Sequence, residues 1–395
     1  MTWLHCPLRA VAIIALLFCT VLSAQPIPKG EIVDKIAAAS DPEMAYAVYL
    51  PASYAPDRRW PVVFVLDPRR RGALAADLFR DAAAQFGWII VSSNNTESDS
   101  ENAPNIRAVQ ALLTDAPSRF SIDEHRMYLA GFSGTANLAF QVAEKTGAFA
   151  GVIGCSGWLP PTWKSHDPGF AWFGTAGNLD FNFLETRSID DRLAAGGAVH
   201  RVEFFAGPHR WAAKDLLGDA VAWMELQAMR RRLRGADPAL VTKLLDRDVA
   251  TANAEADPLL AMRRFESIAR SFDGLTDVSA FRARAEDLRR SSGVARALED
   301  ERRATALENS HRHRLPSVYN AFLQSEEPLM GAALARALQI APLQKLAKES
   351  SYRGVAAQRV LESIYAQVNF YLPQQVRGPK LVALQTVAAM IHPPR

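Results

Sequence analysis

The sequence predicts an α/β protein with a mostly parallel sheet, followed by an all-α region. Before residue 235, short apolar runs alternate with amphipathic helical patterns, as parallel strands joined by crossover helices do. After residue 235, the chain is rich in Ala, Leu, Arg and Glu and has few strand-forming residues. Since 395 residues exceed the usual size of one domain, we place a boundary at Gly235-Ala236-Asp237-Pro238, which divides residues 25–235 from 236–395.

Seven short apolar runs are predicted strands. They are bounded by turn residues and cover residues 46–50, 62–66, 88–92, 127–130, 150–154, 170–174 and 202–206. Helical periodicity separates most of them, at about residues 73–86, 105–119, 135–146, 184–195 and 212–230. This alternation predicts helices on both faces of the sheet.

The region after residue 235 is predicted to be helical throughout. One helix begins at Asp257-Pro258 and runs to about Phe272, and another follows Asp277. Further helices are expected at 294–311, 315–325, 328–348, 352–371 and 377–390. Paired helices with short turns resemble tetratricopeptide-type repeats, although no clean period is present. Two roles stay open: a cap that stabilises the first domain, or a groove for a protein partner or an extended substrate.

A strand-turn-helix pattern carries a serine at its tip. The sequence Gly131-Phe132-Ser133-Gly134 follows an apolar strand and precedes a helical pattern, as in a tight turn that lifts a nucleophilic hydroxyl above a sheet edge. The usual pattern is Gly-x-Ser-x-Gly, and Thr135 stands at its fifth position. A β-branched residue there is expected to hinder close packing of helix and strand. An ordinary strand-turn-helix is the alternative, and partner residues decide between the two.

An acid and a histidine follow Ser133 in the chain, each just after a predicted strand. Asp180 follows the strand at 170–174, and His209 follows the strand at 202–206. A serine hydroxyl needs an imidazole to remove its proton, and the imidazole needs a carboxylate to orient it. We predict Ser133 as nucleophile, His209 as general base and then acid, and Asp180 as the orienting acid. Alone, His209 also fits a surface residue and Asp180 a helix cap, but this chain order favours a catalytic triad.

The chain resembles α/β-hydrolases related to feruloyl and acetylxylan esterases and polyhydroxybutyrate depolymerases. The resemblance covers roughly residues 44–230 and rests on the apolar stretches at 47–51 and 60–68, the elbow at Ser133, the Asp180 loop and the Gly207-Pro208-His209 turn. It implies an α/β-hydrolase fold and a serine esterase that acts on an ester substrate without a cofactor.

The resemblance also implies an oxyanion hole made of backbone N–H groups. One donor is expected at Gly134 and the other in the loop at residues 67–72. Pro68 has no N–H, so Arg69 is the first choice there and Arg70 the second. The arginine side chains of this loop have two interpretations: a solvated loop, or a cationic rim that binds an anionic substrate.

The loop from Trp158 to Gly169 is too short for a helical lid. We therefore predict an open site that suits a bulky or polymeric substrate. Trp158 and Trp163 either line an acyl or aromatic pocket or pack against the domain.

Residues 1–24 are typical of a secretory signal peptide. His5 and Arg9 precede an apolar run at 10–22, and small residues follow, so cleavage is expected after Ala24. The run is too short to span a membrane stably. The sequence thus predicts export to the periplasm or the outside of the cell.

The cysteine count, the residue spacings and the net charge exclude several kinds of site and partner. After signal removal Cys155 is the single cysteine, so no intramolecular disulfide forms, and we expect it to be buried. The sequence shows no metal-ligand spacing and no phosphate loop, and a net charge of +3 does not indicate nucleic-acid binding. Two hypotheses remain: an exported serine esterase, with peptidase activity as a variant, or a decayed hydrolase-like module whose helical domain binds a partner.

Overall fold

The computed structural model describes residues 27–98, 102–325 and 331–393. The predicted signal peptide lies outside the described residues. Within them the chain forms one eight-stranded sheet. Its strands are β1 (Ile32–Ala37), β2 (Ala45–Tyr49), β3 (Trp60–Leu66), β4 (Ile89–Ser93), β5 (Ile122–Phe132), β6 (Gly151–Cys155), β7 (Ala171–Gly177) and β8 (His200–Phe205).

The sheet has the order β1-β2-β4-β3-β5-β6-β7-β8. Strand β2 is antiparallel to both of its neighbours, while β3 to β8 run parallel. This mostly parallel sheet confirms the predicted α/β-hydrolase fold. Strand β1 was not predicted because its sequence, IVDKIA, is a half-exposed edge strand and not an apolar run.

Five helices cover the two faces of the sheet. They are α1 (Gly72–Phe86), α2 (Asn102–Arg119), α3 (Gly134–Thr146), α4 (Phe183–Ala195) and α5 (Lys214–Arg230). Phe79 of α1 and Leu217 of α5 bury against one face. Leu112, Phe140 and Ile189, from α2, α3 and α4, bury against the other. Both faces of the parallel strands are therefore covered, which explains their continuous apolar sequences.

The rest of the described chain is helical. It comprises α6 (Pro238–Ala254), α7 (Pro258–Phe272), α8 (Ser279–Arg289), α9 (Ser292–Gln324), α10 (Gly331–Ala337), α11 (Ile340–Leu346), α12 (Tyr352–Ala366) and α13 (Pro379–Ile391). A π-helical turn, Gln367–Tyr371, extends α12. Helix α9 continues across Pro316, where the sequence predicted two helices. None of the helices in the described ranges is both long and apolar enough to cross a membrane.

The first helices after residue 235 share the core of the sheet domain. Leu244 of α6 and Phe265 of α7 belong to the same buried cluster as Trp223 of α5. The indole Nε1 of Trp223 donates to Ser271 Oγ of α7 at 2.9 Å. A separate apolar core unites α9 to α13, with Phe322 at its centre. The composition of the chain therefore changes near residue 235, but the helices on both sides of that point pack into the same core.

Candidate active site

Ser133 sits at a tight turn between β5 and α3. Its backbone has φ 56° and ψ −128°, a conformation that costs energy for a residue with a side chain. The Ser133 N–H donates to the carbonyl oxygen of Cys155 on β6 at 2.8 Å, which ties the turn to the neighbouring strand. This geometry is that of a nucleophile elbow, with the hydroxyl above the carboxyl end of the sheet.

Thr135 fits the elbow through its hydroxyl. It is fully buried, and its Oγ1 lies 2.5 Å from the carbonyl oxygen of Leu66 and 2.8 Å from that of Phe132. The same oxygen accepts the Phe132 N–H at 3.1 Å. The close approach of helix and strand occurs at Gly131, where a Cβ would lie 2.3 Å from the Thr135 carbonyl oxygen. The expected packing conflict at Thr135 is therefore absent from the elbow.

The structure brings the three predicted triad residues together. His209 Nε2 lies 3.0 Å from Ser133 Oγ, and His209 Nδ1 lies 2.8 Å from Asp180 Oδ1. The Asp180 side chain is fully buried, whereas that of His209 keeps 18% of its exposure. Each residue follows the end of its strand, so the parallel sheet places all three at one edge.

Two further groups hold the Asp180 carboxylate. Ser156 Oγ donates to Asp180 Oδ2 at 2.6 Å, and the Asn182 N–H donates to Oδ1 at 2.7 Å. Asn182 Nδ2 in turn donates to the Ser156 carbonyl oxygen at 3.0 Å. Ser156 was not among the site residues predicted from the sequence. Ser156 directly follows strand β6, as each triad residue follows a strand, and this position was the sequence signal that could have identified it.

Two aromatic rings enclose the imidazole of His209. The Phe181 ring stacks on it with centroids 4.2 Å apart, and the Phe132 ring lies at 4.6 Å. Phe132 precedes the nucleophile and Phe181 follows the acid, so both come from the loops of the triad itself. They fix the plane of the imidazole and cover part of it from water.

The two predicted oxyanion donors both have partners within the chain. The Gly134 N–H donates to Ser98 Oγ at 3.0 Å. The Arg69 N–H donates to Asp67 Oδ1 at 2.8 Å, which corrects its expected role as a free second donor. Asp67 is fully buried and also binds the Arg71 guanidinium and Trp211 Nε1, each at 3.0 Å. This carboxylate holds the loop through its own amides, a contact that the backbone pattern does not reveal.

Ser133 and His209 line a cavity of about 510 Å³ to which two parts of the chain contribute. The sheet domain contributes Arg69, Ser98 and Phe181, among others. The C-terminal helices contribute the opposite wall, which consists of Glu362, Tyr365, Ala366, Phe370, Tyr371 and His392. One wall of the site therefore comes from the C-terminal region, which the prediction of an open site did not include, and not from the short loop at 158–169.

The helical wall is held together by its own contacts. His392 Nε2 lies 2.8 Å from Glu362 Oε1, and the His392 ring meets the Tyr365 ring edge-on at 4.5 Å. Phe370 packs edge-on against Tyr365 at 6.0 Å. Phe370 belongs to the π-helical turn, an irregularity that is frequent at functional sites.

Three residues predicted to bind substrate do not line this cavity. The exposed Arg70 pairs with Glu97 at 2.5 Å. Trp163 packs edge-on against Phe140 at 5.6 Å, and its Nε1 donates to Glu144 at 2.7 Å. The Trp158 N–H donates to Asn137 Oδ1 at 2.7 Å. The Trp163 side chain therefore follows the alternative of packing against the domain, whereas the contact of Trp158 is made by its backbone.

Cys155 is buried directly beside the nucleophile turn. It is fully buried, and burial raises the pKa of its thiol to about 12. A thiol with so high a pKa carries almost no thiolate at neutral pH, and the thiolate is the nucleophilic form.

Comparison with known proteins gives structural likeness only. No protein-family model and no curated protein sequence matches the chain. A ferulic acid esterase is 16% identical, with 49% of this chain and 97% of that chain covered, at a TM-score of 0.40. An S-formylglutathione hydrolase from Staphylococcus aureus is 13% identical over 51% and 99% of the two chains, at 0.40. An esterase from Pyrobaculum calidifontis is 13% identical over 51% and 87%, at 0.42. Each of these matches covers about half of this chain.

Proposed function

We propose that this protein is a serine hydrolase that cleaves a carboxylic ester through an acyl-enzyme. The hydrogen-bonded series from Ser133 through His209 to Asp180 carries the proposal, at 3.0 Å and 2.8 Å. Both distances lie within the reach that proton transfer between nucleophile and base requires. The strained backbone of Ser133 adds support, because such strain is concentrated at functional sites.

The reaction follows from this geometry. Ser133 Oγ attacks the ester carbonyl carbon while its proton passes to His209 Nε2. The tetrahedral intermediate collapses, the ester C–O bond breaks, and His209 gives the proton to the leaving alcohol. Water then attacks the acyl group on Ser133, with His209 taking one of its protons. Collapse returns that proton to Ser133 and releases the carboxylic acid, while Asp180 orients the imidazole throughout.

The substrate carbonyl oxygen is placed at the Gly134 N–H. In the structure Ser98 Oγ occupies the position 3.0 Å from this nitrogen, where an oxyanion would bind. Binding therefore requires the Ser98 hydroxyl to move aside. Ser98 is itself held by its N–H, which donates to the Pro68 carbonyl oxygen at 3.0 Å.

The cavity favours a single ester molecule over a polymer. Its volume of about 510 Å³ lies within the range of pockets that enclose small ligands. Phe181 on one side and Tyr365 and Phe370 on the other present apolar surface to the acyl or alcohol group. An ester with one apolar group of moderate size fits this enclosure, whereas a polymer chain meets the helical wall.

A fluorophosphonate probe tests the proposal, because it reacts covalently with activated serines. We expect rapid labelling of the full chain at Ser133, and loss of labelling in Ser133→Ala and His209→Ala. His166→Ala is the matched control, since His166 is an exposed histidine that pairs with Glu144 at 2.9 Å. Peptide mapping distinguishes Ser133 from other serines. A folded protein that fails to react would refute the proposal.

An ester panel and matched anilides then separate an esterase from a peptidase, since the same triad cleaves both bonds. The competing hypothesis of a decayed module that binds a partner drew on Thr135 as a sign of decay. The buried hydrogen bonds of Thr135 remove that argument.

We also propose that the protein is exported, on the basis of the signal-like sequence at residues 1–24. Cell fractionation and N-terminal sequencing of the mature protein test this. A mature N-terminus at Gln25 in the exported fraction is expected, and an intact Met1 in the cytoplasm would contradict it.

A further inference from the structure

We propose that Arg359, on helix α12, is a positioning residue for the catalytic acid. This inference rests on the proposed function. Arg359 is almost fully buried, with 6% of its surface exposed, and lies in the C-terminal region that sequence analysis left without a definite role. Its guanidinium contacts the segment that carries Asp180 on both sides of that residue.

The two contacts of the guanidinium flank Asp180 in the chain. Nη1 donates to the Asn178 carbonyl oxygen at 3.1 Å, two residues before the acid. The guanidinium carbon also lies 4.2 Å from the centroid of the Phe183 ring, three residues after it. A planar guanidinium can make a directional hydrogen bond and stack on a ring at the same time, which an ammonium cannot do. Arg359 therefore clamps the acid loop at both ends.

Asn178 extends this clamp to the loop of His209. Its side-chain Oδ1 accepts the Gly207 N–H at 3.0 Å, and the Leu179 N–H donates to the Gly207 carbonyl oxygen at 3.0 Å. The acid and base loops are thus joined at Asn178. Arg359 holds Asn178 in place, and Asn178 joins the loop of Asp180 to the loop of His209. The distance between Asp180 and His209 therefore depends on Arg359.

Glu308 of helix α9 fixes Arg359 in turn. Nε and Nη2 of Arg359 each lie 2.8 Å from Glu308 Oε2, and Glu308 is 1% exposed. A buried ion pair is a weak source of stability, because the loss of hydration offsets most of the attraction. The effect of this pair is geometric: it holds the guanidinium against the Asn178 carbonyl oxygen.

A double-mutant cycle tests whether Arg359 acts through Asp180. The variant Arg359→Met with Glu308→Gln removes the clamp without leaving an unpaired buried charge. The readout is the second-order rate of fluorophosphonate labelling at Ser133. We expect the rate to fall about 10-fold, because small displacements of a catalytic group are costly. In an Asp180→Ala background the same change is expected to alter the rate less than about 2-fold, since the group that Arg359 positions is already absent.

Arg187→Met is the matched control. Arg187 also links the sheet domain to α9, through Glu301 at 3.1 Å, but its guanidinium makes no hydrogen bond to Asn178, Asp180 or His209. Glu301 keeps its pair with Arg263 at 2.7 Å, so no buried charge is left alone. This variant is expected to label at the wild-type rate in both backgrounds.

The outcomes separate the two proposals. Absence of labelling in the wild type overturns the proposed function itself. A labelling wild type whose rate falls equally in both backgrounds overturns the role of Arg359 and leaves the hydrolase intact. If the double variant does not fold, Arg359→Lys replaces it. Lysine keeps the positive charge beside Glu308 but lacks the planar guanidinium that bonds to Asn178 and stacks on Phe183 at the same time. We expect slower labelling with an unchanged melting temperature, and wild-type labelling would contradict the clamp.

Discussion

The hydroxyl oxygen of Thr135 lies 2.5 Å from the carbonyl oxygen of Leu66, the last residue of β3. This contact joins the elbow to the central strand beside it. The residue that departs from the usual sequence pattern thus connects the nucleophile turn to β3, as the Ser133 N–H connects it to β6.

Thr135→Val is expected to destabilise the protein, because it keeps the shape of the side chain and removes the hydroxyl. The buried Leu66 carbonyl and Phe132 N–H lose their partner, which typically costs about 1–3 kcal/mol in the free energy of unfolding. Urea titration measures this loss. Thr135→Ser retains the hydroxyl and is expected to lose much less. Equal stability of the Val variant and the wild type would show that the contact is unimportant.

Ser156→Ala is expected to lower kcat with little change in KM. Ser156 Oγ donates to the Asp180 carboxylate at 2.6 Å, and hydrogen bonds to charged groups contribute about 1.5–3 kcal/mol. If Asp180 loses orientation by that amount, kcat falls about 10- to 100-fold. Steady-state ester hydrolysis measures the change. Cys155→Ala is the control, since the buried Cys155 side chain makes no hydrogen bond to Ser133, Asp180 or His209. A similar loss in both variants would contradict a specific role.

Ser98→Ala is expected to raise kcat/KM by about 5-fold, mainly through a lower KM. The Gly134 N–H then has no internal partner to exchange for the substrate oxygen, and a neutral hydrogen bond contributes about 1 kcal/mol. Ser53→Ala, at an exposed position, is the control. A large fall in kcat would instead identify the Ser98 hydroxyl as a donor to the oxyanion.

Tyr365→Ala and Phe370→Ala are expected to raise KM for esters with a large apolar group by about 10-fold. Hydrolysis of a small acetate ester should change little, because such a substrate does not reach the helical wall. Val382→Ala on α13 is the control, since Val382 is 60% exposed and lies outside the cavity lining. Parallel KM values for the two ester classes measure the difference. An equal effect on both would show that the wall does not select substrates.

A fragment that ends at residue 235 is expected to aggregate or remain unfolded. It lacks the buried side chains of α6 and α7, Leu244, Phe265 and Phe272 among them, that complete the core around Trp223. Exposure of a contiguous apolar face of this kind promotes aggregation. Solubility and circular dichroism of residues 25–235 measure the outcome, with residues 25–395 as the reference. A soluble fragment with a cooperative melting transition would contradict the shared core.

The triad could be predicted because its residues lie just after apolar strands, and parallel strands bring such positions to one edge. The cavity wall could not be predicted. Tyr365 and Phe370 belong to a C-terminal helical segment, and no local sequence pattern shows where such a segment packs against the rest of the chain. Arg69 shows a second limit. The sequence shows that residue 69 has a backbone N–H, but it does not show that the buried Asp67 side chain accepts this N–H. A side-chain contact of this kind depends on tertiary structure.

The helical wall brings residues from late in the chain to a site that the sheet domain builds. In the proposed reaction, bond cleavage depends on loops of the sheet domain, whereas the residues opposite them lie between 362 and 392. Mutations at Tyr365 or Phe370 can therefore change which esters are accepted while the triad is unaltered, whereas a mutation at Arg359 acts on the acid loop. Helix α12 thus carries both a residue that faces the substrate and a residue that supports the acid loop, less than two helical turns apart.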